Sequence, residues 1–393
     1  MMPATSLADA SPGDRLRTWL APLADAVVAM SLLRGIAAHG GEPATMLVAG
    51  RAARVGWLVD RFFAEAPRRE PLGHVPAWRI ARTLRRMRSS ADLTVAHVAR
   101  LSAARLGLRD DYLPVPDWIG MRIDAPFDVA ASARASHSLA DDLRRIRQRR
   151  WSAEVSHGSG ELAGFYAAMY APFTRARYGA DAYVQPMRRA RRAFRRGGIL
   201  WVSHDGRRVA GCLFERRHDT LAMLALGMAG GDPARMKEGA IAAMYLSLID
   251  YARGAGCTHV DLRGSRPSLD DGLTRFKRKW GASVYDRPDV PSTTLVHWDR
   301  MSPVVEAFLA NTSLVFRDGD GLSAVAVARP DGHAGAAVGR ACHLLTVPGL
   351  RRRLVLTGAE IADARCACVA VPLASLHSGP RALLAGSPAG RGE

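Results

Sequence analysis

The sequence predicts an α/β fold built on a mixed sheet, and two stretches carry that prediction. Asp205-Gly206 sits between the apolar-rich runs 199–204 and 208–216, and a tight type I′ hairpin needs positive φ at both central positions. The turn His218-Asp219 leads into a third run, 220–228, which completes a three-stranded meander. Residues 235–255 then place Ile241, Met244, Tyr245, Leu248 and Ile249 at helical spacing, a face suited to packing on a sheet, and 258–262 follows as a strand.

In chain order, residues 16–38 read as a helix closed by Gly40-Gly41, 45–48 as a short strand, 52–64 as a helix and 76–88 as a basic helix. Residues 91–98 and 112–121 read as strands, the second interrupted by Pro114 and Pro116. Residues 138–151 read as a helix with Ser138 as N-cap and Asp141 and Asp142 in the first turn. Arginines gather toward its end, the charge order a helix dipole favours, and they read as a solvated face. A strand at 151–156 follows, then a helix at 160–178 with Leu162, Phe165, Tyr166, Met169 and Tyr170 on one side. The shorter helix 186–196 has a narrow apolar stripe set between six arginines. Beyond the meander come a helix at 269–280, strands at 283–285 and 293–298, a helix at 304–309 and a strand at 322–328. The small, Gly- and Pro-rich end from Ser378 reads as disordered.

A chain of 393 residues has room for two or three domains, and its 48% hydrophobic content is that of a globular protein rather than a disordered one. The formal charge of +18 implies attraction to anions: nucleic acid, anionic lipid, or phosphorylated small molecules such as coenzyme A. Only three of the 55 cationic residues are lysines, Lys237, Lys277 and Lys279, and they lie within 56 residues of one another. The five cysteines are scattered, so neither a zinc site nor a disulfide framework is signalled, and a cytoplasmic setting fits. Met1–Asp14 is polar and acidic, unlike a signal peptide, and the apolar run 19–36 is broken by Pro22, Asp25 and Arg34, unlike a membrane span.

The order of elements over 138–298, with four short motifs, resembles the GNAT acyltransferase fold. The likeness is nearest to its Fem-like branch, which includes CelD-type polysaccharide acetyltransferases. The motifs are Val209-Ala210-Gly211, Tyr251-Ala252-Arg253-Gly254-Ala255-Gly256, Val260-Asp261-Leu262-Arg263-Gly264, and Gly272-Leu273 leading to Phe276-Lys277 and Trp280-Gly281-Ala282. The resemblance implies a GNAT-like mixed sheet with a splayed strand pair, and a tandem in which 41–135 is a degenerate half and 136–300 the acyltransferase domain. Residues 1–40 would be an N-terminal helix, 301–377 an α/β extension and 378–393 a tail.

The resemblance also implies a site. Acetyl-CoA or another acyl-CoA would be the co-substrate, without a metal, its carbonyl near Leu226 and Met228 and its pyrophosphate at the helix start formed by Arg235, Lys237, Gly239 and Ala240. The family's pyrophosphate pattern is Gln or Arg, two residues, Gly, one residue, then Gly or Ala. Here Met236 stands at the first position counted from Gly239, and Glu238 stands where glycine belongs counted from Arg235. Phe276 would shape the cleft and Lys277 would place a cation on the oxyanion. Asp261 is a candidate base, and equally a residue that holds the loop 263–266; Tyr285 is a candidate proton donor to the leaving thiolate. Lys279 reads as a solvated helix charge.

The implied activity is transfer of an acyl group to an amine or hydroxyl of an envelope or exopolysaccharide precursor, in the cytoplasm or at the inner face of an anionic membrane. Two alternatives stay open. Aminoacyl-tRNA could be the donor, as in Fem-type aminoacyltransferases, although no long heptad segment of the kind they carry is present. Or the chain is a catalytically inactive GNAT module that binds anionic membrane or polysaccharide machinery through Arg188–Arg196 and Arg144–Arg150.

Overall fold

The computed structural model describes residues 27–384 apart from 106, 109–110, 159, 180–181, 233–237, 329–333, 359–367 and 378. The chain divides into two compact units, neither continuous in sequence. Gly120–Gly264 and Phe276–Ser283 form the second; Ser265–Arg275 and the chain from Val284 join the chain up to Ile119 in the first.

The first unit holds a six-stranded sheet in the order Arg68–Pro76, Val27–Ile36, Pro43–Ala49, Leu93–Ala99, Ser292–His297, Leu113–Pro116. Val27–Ile36 is a strand and corrects the helix expected over 16–38, of which 16–26 lie outside the described residues. Its apolar run has neighbours on both sides, Pro43–Ala49 and Arg68–Pro76, so its backbone groups find sheet partners that helical spacing gives no hint of. Gly40 and Gly41, at φ 94° and 71°, turn the chain between the first two strands instead of ending a helix.

Leu93–Ala99 is buried along its whole length because helices cover both faces. Leu93 and Val95 pack with Leu58 and Phe62 of helix Ala52–Phe62, and Ala96 and Val98 with Ile80 and Leu84 of helix Ile80–Met87. Each such side chain contributes about 1.5–3 kcal/mol on leaving water. A second, four-stranded sheet in the order Val315–Asp318, Gly321–Val327, Leu350–Thr357, Val369–Pro372 adds Phe316, Val325 and Leu354 to the first of those cores. Order also reaches past Ser378: Arg381–Leu384 is helical and Leu383 fully buried, while 385–393 lie outside the described residues.

A seven-stranded sheet runs Ser283–Asp286, Ile119–Asp124, His259–Ser265, Thr220–Met228, Arg207–Arg217, Gly197–His204, Ser152–Ser156, and all of it but Ile119, Ser265 and Val284–Asp286 belongs to the second unit. The meander forms as the turn residues predict, with Asp205 at φ 50° and Gly206 at 72°. Helix His137–Gln148 starts two residues earlier than expected: Ser136 is the N-cap, accepting from Leu139 N, so Asp141 and Asp142 fall outside the first turn. Asp124 fastens the far side of the sheet, accepting from His259 Nδ1 and Ser283 Oγ, both at 2.8 Å. The architecture is thus mixed α/β, and the six-stranded sheet takes one strand, Ser292–His297, from a distant part of the sequence.

Candidate active site

Thr220–Met228 and His259–Ser265 are parallel neighbours whose pairing covers three rungs, Thr220↔His259, Leu221↔Val260 and Ala222↔Asp261. Beyond them the strands part. On its other side Thr220–Met228 stays paired to its end, Met228↔Ala210, with a bulge between Met223 and Ala225. A bulge bends its strand and raises the local twist, which turns Leu226–Met228 away from the parallel neighbour. Past Ala222 and Asp261 the facing edges of the two strands are therefore unpaired with one another.

The bulge is fixed by side chains. Gln185 Nε2 donates to Leu224 O at 2.9 Å, and Gln185 itself is held by Tyr166, whose hydroxyl donates to its carbonyl at 2.7 Å, and by Tyr170, whose hydroxyl accepts from its N–H at 2.9 Å. Both tyrosines lie in a π turn, Tyr166–Tyr170, inside the helix that runs from Glu161 to Tyr178. That turn presses on the strand so closely that a Cβ on Gly227 would stand 2.7 Å from the backbone of Met169 and Tyr170. Glycine is therefore required there.

The central helix of the second unit is Ala240–Gly254. Gly239 enters it at φ 97°, with no side-chain cap and no acid in the first turn. The first helical bond is Ala243 N to Gly239 O, so the N–H groups of Ala240, Ile241 and Ala242 have no partner within the helix. Trp151 Nε1 is buried, lacks a hydrogen-bond partner among the described residues, and lies 3.9 Å from where a Cβ on Gly239 would stand. Its ring packs on His204 at 4.8 Å, and Arg149 donates to Glu238 O at 3.1 Å. Uncapped N–H groups at the positive end of a helix are a setting for an anion. Arg235 and Lys237, expected at this end, lie outside the described residues.

Phe276–Lys279, the end of helix Gly272–Lys279, belongs to the same unit. Phe276 meets Tyr245 of the central helix edge-on, ring centroids 5.0 Å apart, and burial pushes the Tyr245 phenol well above its ordinary pKa, so it stays neutral. Lys277 is only 2% exposed, and its Nζ donates to Gly264 O at 2.8 Å and Arg263 O at 3.2 Å. It ties the helix to the strand where the strand leaves its neighbour. Asp261 accepts from Arg263 N at 2.7 Å and Arg263 Nη1 at 3.2 Å, holding Arg263 at φ 64°. Tyr285 is half-buried and belongs to the first unit.

The lysines gain a physical reason. A compact ammonium on a slender stem fits among backbone carbonyls where a planar guanidinium would not. Lys279, expected to be solvated, is instead ion-paired with Asp142 and stands 4.5 Å over the Phe276 ring, its side chain 15% exposed. Sequence reading missed Gln185 and Trp151 altogether. Tyr166 and Tyr170 were visible only as an apolar stripe, since nothing in their spacing announces a π turn. Among the described residues no three His, Cys, Asp or Glu side chains are grouped to hold a metal ion, and no helix is long and apolar enough to cross a membrane.

No family model and no curated protein matches the chain. Among solved structures it is similar to FemX (TM-score 0.37, 12% identity, covering 70% of this chain and 90% of that one). It is also similar to L-PGS from Bacillus licheniformis (0.36, 13%, 71% and 87%). A third is the C-terminal DUF2156 domain of a putative lysylphosphatidylglycerol synthetase from Agrobacterium fabrum (0.34, 11%, 68% and 80%). These neighbours are GNAT-fold proteins. At such identities the likeness is silent on substrate, and function has to be argued from the diverging strands themselves.

Proposed function

We propose that the second unit is an acyltransferase, with an acyl-CoA thioester held between the diverging segments Leu226–Met228 and Leu262–Gly264 and the donor's pyrophosphate at the start of helix Ala240–Gly254. The observation that carries this reading is the parallel pairing that stops after three rungs, and the uncapped helix start in the same unit supports it. The acceptor's amine or hydroxyl attacks the thioester carbonyl, and a backbone N–H of Leu226–Met228 stabilises the oxyanion. The new C–N or C–O bond forms as the C–S bond breaks; the electron pair goes to the CoA sulfur, and the acceptor's proton leaves to water. Lys277 acts as a positioning residue through the backbone of Arg263 and Gly264, Phe276 forms a wall, and Trp151 Nε1 offers a donor to the phosphates. The acceptor we favour is an amine- or hydroxyl-bearing precursor of envelope polysaccharide.

Calorimetry with acetyl-CoA tests the reading. Gly239→Glu should weaken binding at least tenfold, while Gly239→Ala, which shares the left-handed backbone strain without the carboxylate, should weaken it less. Failure of acetyl-CoA to bind the unmodified chain, or equal affinity in Gly239→Glu, would sink the assignment.

One observation favours a second donor. Helix Met187–Phe194 exposes Arg188, Arg189, Arg191 and Arg192, and among the described residues none has an acidic partner. An aminoacyl-tRNA donor would suit that face, and its binding would weaken steeply with salt. Charged tRNA that binds with no salt dependence, or not at all, removes this alternative.

A further inference from the structure

The first unit contains a cleft of about 830 Å³, within the range of roughly 300–1,000 Å³ typical of small-molecule sites. Hydroxyls line it, from Thr45, Ser89, Ser90 and Ser302, together with the carboxylates of Asp92 and Asp299. Both carboxylates are fixed in the wall. Asp92 Oδ2 accepts from Thr45 N at 2.9 Å and Thr45 Oγ1 at 2.8 Å, and Ser302 Oγ lies 3.4 Å from its other oxygen. Asp299 Oδ1 accepts from Arg88 Nε at 3.0 Å and His297 Nε2 at 2.8 Å.

The two differ in one respect. Asp299 has a guanidinium behind it, whereas the partners of Asp92 are a backbone N–H and two hydroxyls, with no cation among the described residues. In a chain of charge +18, a half-buried carboxylate without a counter-ion at a cleft wall is conspicuous. It disfavours a phosphate or carboxylate ligand and favours an ammonium, which would supply the missing charge. Thr45 Oγ1 and Ser302 Oγ donate to Asp92 and Ser90 Oγ donates to Met87 O, so toward a ligand these oxygens are left as acceptors, which suits the donor hydroxyls of a sugar. Arg300 and His377, exposed at the rim, add one donor and one group of either role.

We propose that this cleft binds a small polyhydroxylated amine of the amino-sugar class, the ammonium at Asp92 and the ring hydroxyls among Ser89, Ser90 and Ser302. The inference is independent of the acyl-transfer reading, because it rests on a different unit and its readout is binding alone.

The test is titration of the full chain with glucosamine, glucose and glucose 6-phosphate, followed by calorimetry. Glucosamine should bind saturably, glucose at least tenfold more weakly, and glucose 6-phosphate more weakly still. Ser89→Trp, at an exposed position on the rim, should fill the cleft and abolish glucosamine binding with the melting temperature unchanged. Asp92→Asn keeps an acceptor for Thr45 and should erase the preference for glucosamine over glucose. The proposal fails if glucosamine does not saturate, if glucose binds equally well, or if Ser89→Trp leaves binding intact.

Discussion

In the first unit Pro43–Ala49 and Leu93–Ala99 are parallel neighbours, as Thr220–Met228 and His259–Ser265 are in the second, and the two pairs end in opposite ways. The first is paired to the last residue of Pro43–Ala49, Ala49↔Ala96, and Leu93–Ala99 is zipped on its other side by Ser292–His297. The second parts after Ala222. Each unit also begins a helix beside a left-handed glycine, Gly50 at φ 94° and Gly239 at 97°. A Cβ on Gly50 would stand 2.2 Å from the carbonyl oxygen of His97, whereas among the described residues a Cβ on Gly239 would have only Trp151 Nε1 within 4 Å, at 3.9 Å. The same local device thus accompanies a closed strand pair in one unit and a diverging pair in the other. What makes room for chemistry is where the neighbouring backbone is absent, rather than the glycine or the parallel pair as such.

The sharpest way to break this contrast is to add one methyl group in each place. Gly50→Ala should cost about 3–5 kcal/mol, combining left-handed strain with a backbone clash, and urea melts should show it. Gly239→Ala should cost about 1–2 kcal/mol, from strain alone. Equal losses would mean that the backbone crowds both helix starts alike.

Lys277 sharpens the contrast on the open side. Lys277→Met strands two carbonyls at the start of the splay and should cost about 3 kcal/mol, a loss that Lys277→Arg does not restore because its site admits no guanidinium. Lys279→Arg, next to it but paired with a carboxylate, should change stability by less than about 1 kcal/mol.

Alkaline titration probes the closed side. Burial pushes the Tyr112 phenol up to about 12, partly opposed by Arg88. The unfolded chain loses this proton near pH 10 while the folded chain keeps it, so stability present below pH 10 should fall between pH 10 and about 12, by up to about 3 kcal/mol. Tyr112→Phe should flatten that part of the profile, since the Tyr112 hydroxyl is buried with no partner among the described residues.

Features set by neighbouring residues were legible in the sequence. Asp205-Gly206 makes its hairpin because the φ preference of two adjacent residues decides the turn. The face of Ala240–Gly254 is buried as its spacing predicts, Met244, Tyr245, Leu248 and Ile249 included. Features set by partners distant in sequence were not legible. Val27–Ile36 is a strand because two other strands flank it, and no pattern inside the run says so. Ser136 and Ser138 are both competent caps; Ser138 instead lies 3.4 Å from the Lys279 ammonium, a contact across 141 positions. Lys277 could be singled out by rarity, yet its carbonyl partners, Arg263 and Gly264, become visible only once strand and helix are packed.

The strand exchange has a consequence for the order in which the protein is made. Leu93–Ala99 and Leu113–Pro116 leave the ribosome as the two sides of an empty slot, and Ser292–His297, which fills it, follows only after the whole of the second unit has been translated. Until then Asp117 lacks Thr294, a hydrogen-bond partner 177 positions away, and two strand edges that end up buried lie open to any passing chain. The first half to be synthesised is therefore the last to be completed, and the nascent chain must be guarded over that interval, when wrong strand pairing is the main hazard.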